Sequence, residues 1–486
     1  MQYKEFLDEI DQKQEKLFAA SDAVWEAAET AFSETNSARA LCVLLAGEGF
    51  EVTCPAFGIS TAFTASFGSG SPVMGFLGEF DALANLSQKA GLLEKVPEVP
   101  GGNGHGCGHN LLGAASAAAA IAVKDYLQKT GKPGTVIYYG CPGEEGGSGK
   151  AFMAREGAFD SLDFAVTWHP DDVNCVRTGS SLANFQVLFR FEGVSAHAAG
   201  CPELGRSALD ALELMNVGAN FLREHVIQSA RLHYAILDAG GYSPNVVQNH
   251  AEVLYLVRAP KVSQAKEIYD RVIKVAQGAA MMTETTMTYE LIKSCANVIP
   301  NRVMERVMSE AMQDVPLPAY TEEEYALAKA YSDTVPLPVG ESLREYIEAD
   351  FDPENQAFLR SHMQDRIHDF VIPYSKIHKG VGSGGSTDVG DVSWQTPTVQ
   401  MSGATWAPNT PGHSWQVVSQ GKSSLAHKGM LYAGKVMAAT ALRMYENSEL
   451  IRKARAELDQ HLEGETYLPI PADVHPRAIS ELASKG

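Results

Sequence analysis

Apolar and polar positions along this chain fall into two regimes. From Tyr3 to about Gly47 apolar residues recur at helical spacing, and strand-like runs follow at Glu51–Thr53 and Ala62–Ser66. Pro72-Val-Met-Gly-Phe-Leu-Gly is almost continuously apolar, the pattern of a strand covered on both faces. The Ala-rich stretch Leu112–Gln128 predicts a strong helix, stopped at Gly131-Lys-Pro133. A strand at Thr135–Tyr139, a helix from Gly149 to about Glu156 and a strand at Phe164–Trp168 that ends on His169 continue the alternation. Alternating strands and helices predict an α/β layer with parallel strands.

The pattern changes between about Leu182 and Cys295. Asn184–Phe191 alternates as a half-exposed strand, Arg206–Glu224 is helical, and Arg231–Leu237 and Ala251–Val257 are strand-like. Gln264–Met282 is a second helix and Thr285–Ile292 a last strand. The order β-α-β-β-α-β is the ferredoxin-like arrangement. It predicts a separate α+β domain, 183–296, inserted into a discontinuous one formed by 1–182 and 297–486. Helical spacing resumes after Asn301, whereas Pro316–Gly385 is polar, Pro-dotted and matches no element. Thr398-Val-Gln-Met returns to sheet, Ser423–Tyr445 predicts a closing helix, and the Pro-rich end after Glu463 a surface tail.

Size and charge narrow the class. A chain of 486 residues should hold two or three domains. Its 39 basic and 59 acidic residues give a formal net charge of −20, which argues against a nucleic-acid or anionic-membrane binder. The longest apolar helical stretch, Leu111–Val123, is shorter than the roughly 20 residues a membrane span requires. Seven scattered cysteines form no disulfide framework, which favours a reducing cytoplasm.

Candidate chemistry sits just past predicted strand ends, where open α/β sheets form their sites. Thr135-Val-Ile-Tyr-Tyr-Gly-Cys-Pro-Gly-Glu144-Glu145-Gly-Gly puts two carboxylates side by side after an apolar strand. Such neighbours raise each other's pKa unless a cation lies close. Asn103-Gly-His105-Gly-Cys107-Gly-His109, Trp168-His169 and Pro411-Gly-His413 supply thiolate and imidazole, a donor set suited to zinc, manganese or a related metal. Cys107 and His109 are candidate ligands, with His105 a ligand or a supporting residue. One glutamate can ligate while its neighbour accepts a proton from water. A cysteine nucleophile at Cys107 leaves the glutamates unexplained. Gly143–Lys150 is no phosphate-binding loop, because its spacing is one residue too long and its carboxylates would face the phosphates. The glycine-rich run from Gly380 follows no evident strand and is no dinucleotide fingerprint.

Together Gly106-Cys107-Gly-His109-Asn, Gly143-Glu144-Glu145-Gly-Gly, Trp168-His169, Gly193-Val-Ser-Ala-His197-Ala-Ala, Pro244-Asn245-Val-Val, Ser386-Thr-Asp388 and His413-Ser-Trp resemble the M20 metallopeptidases, within them the amidohydrolase branch, subfamily D. The resemblance implies a mixed sheet flanked by helices as catalytic domain, and a lid and dimerisation role for the insert. It also implies two divalent ions in each copy of the chain, manganese or zinc, with Cys107, His109, Glu145, His169 and His413 as ligands. Glu144 would be the general base, Asp81 the residue orienting a ligand histidine, and His197 an oxyanion donor reaching a partner chain. Asn245, Arg258 and, more weakly, Arg206 would bind a substrate carboxylate. Glu79 stands where other members of the family place a ligand histidine, so the bridging ligand stays open. The implied activity is hydrolysis of N-acyl amino acids, aroyl-glutamates first, with a dipeptidase or aminoacylase as alternative. The implied assembly is a homodimer or a hetero-oligomer with a homologous subunit, and a non-catalytic partner subunit is the rival of another class.

Overall fold

The computed structural model describes residues 3–375 and 385–477, so most of the glycine-rich run from Gly380 lies outside the described residues. The chain divides into two units.

The first unit comprises Met1–Gly179, Ile299–Gly382 and Val392–Glu465. Its seven-stranded sheet runs in the order Glu51–Thr53, Phe63–Ser69, Gly134–Cys141, Val73–Glu79, Phe164–Asp171, Thr398–Ala404, Cys175–Val176. Val73–Glu79 pairs in parallel with Gly134–Cys141 and Phe164–Asp171, which pairs in parallel with Thr398–Ala404. The remaining pairings are antiparallel, so the sheet is mixed. The parallel strands all present their carboxyl ends at one edge. Phe164–Asp171 does not stop before His169 but carries it inside the ladder, opposite Ser402.

Helix His109–Thr130 lies in the core, its alanines buried almost without exception. It packs on helix Ser424–Glu446, where a Cβ on Gly434 would stand 3.1 Å from the Ala118 side chain. Small residues on both helices allow this close approach. The stretch after Asn301 contains helices Arg302–Asp314, Glu322–Ser332, Glu341–Ala349 and Pro353–Ser361. The last three are short and capped by side chains or glycine, without the long apolar stripe that would mark them in sequence.

The second unit comprises Ser180–Val298, Ser383–Asp391 and Thr466–Gly486. Ala183–Glu192, His250–Ala259, Arg231–Asp238 and Thr286–Cys295 form an antiparallel sheet, with helices Ala208–Leu222 and Val262–Thr283 connecting them in ferredoxin-like order. Ala183–Glu192 is buried on both faces rather than half exposed. Its polar face carries Asn184 and Gln186, and the later segment closes over that end through Leu182 N–H to Gly385 O and Arg258 Nη1 to Ser386 Oγ at 2.8 Å. The described part of the Pro-rich end, as far as Arg477, is likewise no loose tail. Tyr467 donates to Asp391 Oδ1 at 2.8 Å, Ile470 is buried, and Arg477 pairs with Glu290 at 2.9 Å. Among the described residues no helix is long and apolar enough to cross a membrane.

Candidate metal centre

Three turns at the carboxyl edge of the first unit's sheet bring the predicted donors together. Gly108, at φ 72°, turns the chain from Cys107 into the helix that begins with His109. A Cβ there would lie 2.9 Å from Pro170, so only glycine allows the Cys107 turn to sit against the strand bearing His169. Gly143, at φ 69°, leads into the short helix Glu144–Gly147. Its N–H is held by Glu34 Oε1 at 2.8 Å. His413 itself has a left-handed backbone, φ 57°, fixed by its N–H bond to Gly106 O at 2.8 Å. Such backbone strain at a non-glycine residue persists where the surroundings over-determine it, often at functional sites.

The donor atoms of Cys107, His109 and His169 all lie within 4.8 Å of one another. Those of Cys107, Glu145 and His413 do the same, and so do those of Glu79, His109 and Glu144. Cys107 therefore belongs to two groups and His109 to two. The five residues expected as ligands converge, with Glu144 and Asp81 beside them.

Hydrogen bonds set the tautomers. Nδ1 of His109 meets Asp81 Oδ1 at 3.0 Å, and Nδ1 of His169 meets the Pro170 carbonyl at 2.6 Å. A proton on each Nδ1 leaves both Nε2 lone pairs pointing into the cluster. Nε2 of His169 stands 3.3 Å from Cys107 Sγ. Asp81 uses its second oxygen to accept the Glu145 N–H at 2.9 Å, so one buried carboxylate places two of the donors. His105 turns away: its Nε2 donates to Val24 O at 2.9 Å, and it joins none of the three groups.

Two buried atoms at the centre, His109 Nε2 and Glu145 Oε1, have no hydrogen-bond partner. Buried polar atoms in proteins are normally satisfied, so an acceptor pair left open in a set of thiol, imidazole and carboxylate fits a divalent cation. The charges agree. Burial, then the neighbouring carboxylates, push Glu145 up to about 8 and hold Glu144 above its ordinary value, although His109 opposes both. Burial and then the Glu145 charge push the Cys107 thiol up, so the helix start beside it does not by itself favour a thiolate. Burial alone would raise Asp81, yet its hydrogen bond and attraction to His109 hold it low.

Three further residues join the centre, of which the sequence marked Glu79 alone. Glu79 Oε2 lies 3.3 Å from His109 Nε2, and Lys150, fully buried, meets Glu79 Oε1 at 2.6 Å. Glu34 accepts from Thr61 at 2.9 Å as well as from Gly143. Lys150 belongs to the rejected phosphate-loop stretch, and its inward turn to a glutamate agrees with that rejection.

The remaining candidates belong to the second unit. His197 is exposed, and its Nδ1 accepts the N–H groups of Ala199 and Gly200 at 3.2 and 3.0 Å. Asn245 is exposed, and its carbonyl accepts the Ala198 N–H at 3.0 Å. Arg258 is partly buried, with Nε lacking a partner. Arg206 is engaged by Glu284 at 2.7 Å and by the carbonyls of Glu203 and Gly205.

Comparison with known proteins gives the same picture. The chain is 47% identical over 478 residues to the B subunit of p-aminobenzoyl-glutamate hydrolase from Escherichia coli (strain K12), covering 98% of this chain and 99% of that one. Its fold matches an aminobenzoyl-glutamate utilization protein from Klebsiella pneumoniae, with TM-score 0.61, 16% identity, and 92% of this chain and 100% of that one covered. It also matches a dinuclear metal binding peptidase of Bacillus subtilis, with TM-score 0.55, 16% identity, and 90% and 99% covered. Residues 75–413, which contain every donor of the centre, match peptidase family M20/M25/M40. The chain belongs to that family, in its amidohydrolase branch, and is a hydrolase of amide bonds.

Proposed function

We propose that the protein hydrolyses the amide bond of p-aminobenzoyl-glutamate or a similar aroyl-glutamate with two divalent ions in each copy of the chain, manganese or zinc. The observation that carries this reading is the sharing of Cys107 Sγ between the group with His109 and His169 and the group with Glu145 and His413. Two such donor sets side by side would hold two ions, and the relative from Bacillus subtilis is described as dinuclear. The E. coli relative's name supplies the substrate.

Ions held there would supply Lewis acidity, lowering the pKa of water and polarising the scissile carbonyl. Glu144, beside the donors but outside the two groups that share Cys107, takes the water's proton and delivers it to the departing amine. Asp81 keeps His109 in the ligating tautomer. His197, whose Nδ1 is an acceptor, carries its proton on Nε2 and is a ready donor to an oxyanion in a partner chain. Domain 183–296 then acts as lid and dimerisation domain, with Asn245 and Arg258 holding a substrate carboxylate. Arg206, already bound to Glu284, is the weaker candidate.

A Cys107–His169 nucleophile pair is the other chemistry the 3.3 Å contact allows. Burial pushes the thiol up and the imidazole well down, the reverse of a thiolate–imidazolium pair. Because the E. coli relative is named as one subunit of its hydrolase, assembly with a homologous subunit in a reducing cytoplasm forms part of this proposal. The complete donor set with Glu144 speaks against a merely non-catalytic partner.

The test is a panel of N-acyl amino acids and dipeptides offered to metal-reconstituted protein. Aroyl-glutamates should be cleaved fastest, chelation should abolish the activity, and manganese or zinc should restore it. Faster cleavage of dipeptides would reassign the substrate. Undiminished turnover in verified metal-free protein would overturn the mechanism.

A further inference from the structure

The edge strand Cys175–Val176 ends at Arg177, whose position relative to the metal centre is fixed by strand register. His169 lies opposite Ser402, and Ser402 lies opposite Cys175. Residues paired across a sheet share a face, and so do residues two apart on one strand. His169, Asp171, Ser402, Cys175 and Arg177 thus stand on one face, with the Arg177 backbone level with Gln400, two residues from Ser402. Backbone anchors Arg177 through its N–H to Gln400 O at 2.9 Å.

The side chain is clamped along one edge. Nε donates to Ser402 Oγ at 2.9 Å, and that hydroxyl donates to Asp171 Oδ2 at 2.9 Å. Nη2 lies 3.5 Å from the same Asp171 oxygen. Ser402 thereby draws the guanidinium back across the middle strand toward the strand of His169. The opposite edge, Nη1 with Nη2, has no hydrogen-bond partner among the described residues, and the side chain is 36% exposed. A guanidinium held on one edge and open on the other is preorganised for a two-point contact with a carboxylate. Lys150, the other cation turned toward the centre, is fully buried against Glu79.

We infer that Arg177 is a specificity residue, binding one carboxylate of the amino-acid half of the substrate while Asp171 and Ser402 hold it in place. This rests on the proposed aroyl-amino-acid hydrolysis and extends it. A dicarboxylic amino acid offers two anionic groups, and Arg177 would account for one of them.

The experiment compares N-aroyl-glutamate with its two monoamides, N-aroyl-glutamine and N-aroyl-isoglutamine, on metal-loaded wild type, Arg177→Met and Arg177→Lys. Losing a charge-assisted contact should raise KM for aroyl-glutamate about 10- to 100-fold. Turnover, metal content and thermal midpoint should stay near wild type. One monoamide, the one lacking the carboxylate that Arg177 binds, should be insensitive to Arg177→Met, and Arg177→Lys should regain part of the loss. Equal losses on all three substrates, or none, would overturn the assignment and leave Arg177 a structural clamp. Glutarate binding is followed in parallel by calorimetry on the same proteins. If wild type cleaves no aroyl amide, the proposed substrate fails, yet weakened glutarate binding by Arg177→Met still supports the carboxylate site and unchanged binding refutes it.

Discussion

Glu144 and Glu145 are adjacent in sequence but differ in surroundings. Glu145 shares a donor group with Cys107 and His413 and has its N–H tied to Asp81, whereas Glu144 groups with Glu79 and His109. Glu144→Gln should therefore retain metal and lose several orders of magnitude in turnover, while Glu145→Gln should lose metal as well. Metal analysis beside single-turnover kinetics reads both, and equal metal loss would mean that the roles are shared or reversed. The donors were legible because thiol, imidazole and paired carboxylate beside glycines and strand ends are rare in combination. The pairing of Glu79 with Lys150 was not. A buried ion pair between residues far apart in the chain leaves no local pattern, and its meaning exists only once the strand and the helix after Glu145 are folded together.

Among the elements, periodicity located the sheet strands and the long helices, because each buries one continuous face. It failed for 316–385, where short helices rely on caps and small satellite clusters such as Leu343, Ile347 and Leu359 around Val173. It also missed the second covering of Ala183–Glu192, since a polar residue such as Asn184 looks the same in sequence whether water or a distant segment covers it. Helix Arg302–Asp314 carries a consequence of its own. Glu305 is 2% exposed, and burial pushes it up to about 7 even though Tyr374 donates to it at 2.9 Å. The folded protein then binds a proton that the unfolded chain has released. That contribution is full below about 4.5, the ordinary value, and is lost as pH rises through about 7. Glu305→Gln should flatten this slope, gaining on the order of 1–3 kcal/mol over wild type between pH 5 and pH 8. Urea unfolding at both pH values checks it, and parallel slopes for the two proteins would show that Glu305 titrates normally.

For the whole molecule, the role of His197 across a dimer is the proposal with the widest reach. His197→Ala should fold, bind metal and lose about 2.7–4 kcal/mol of transition-state stabilisation, the usual size for one oxyanion donor. Mixed with Glu144→Gln after exchange of chains, it should recover activity, because one hybrid site combines an intact base with an intact histidine. If exchange is confirmed and the mixture stays inactive, His197 works within its own chain or not at all.

Each unit is assembled from three separate stretches, and the stretches interleave. Asp391, which holds the Ala296 N–H at 3.1 Å, receives the Tyr467 hydroxyl only from the far end of the chain. Synthesis on the ribosome proceeds from the amino end, and ordinary domains can fold one after another as they emerge. Here neither unit has all its parts until its late stretches have emerged: before Thr398 the first still lacks the strand Thr398–Ala404 that lies opposite His169, and the second lacks Tyr467. Nascent chains stalled before Thr398 should consequently remain protease-sensitive throughout, and grafting either unit onto another scaffold would require moving three pieces at once.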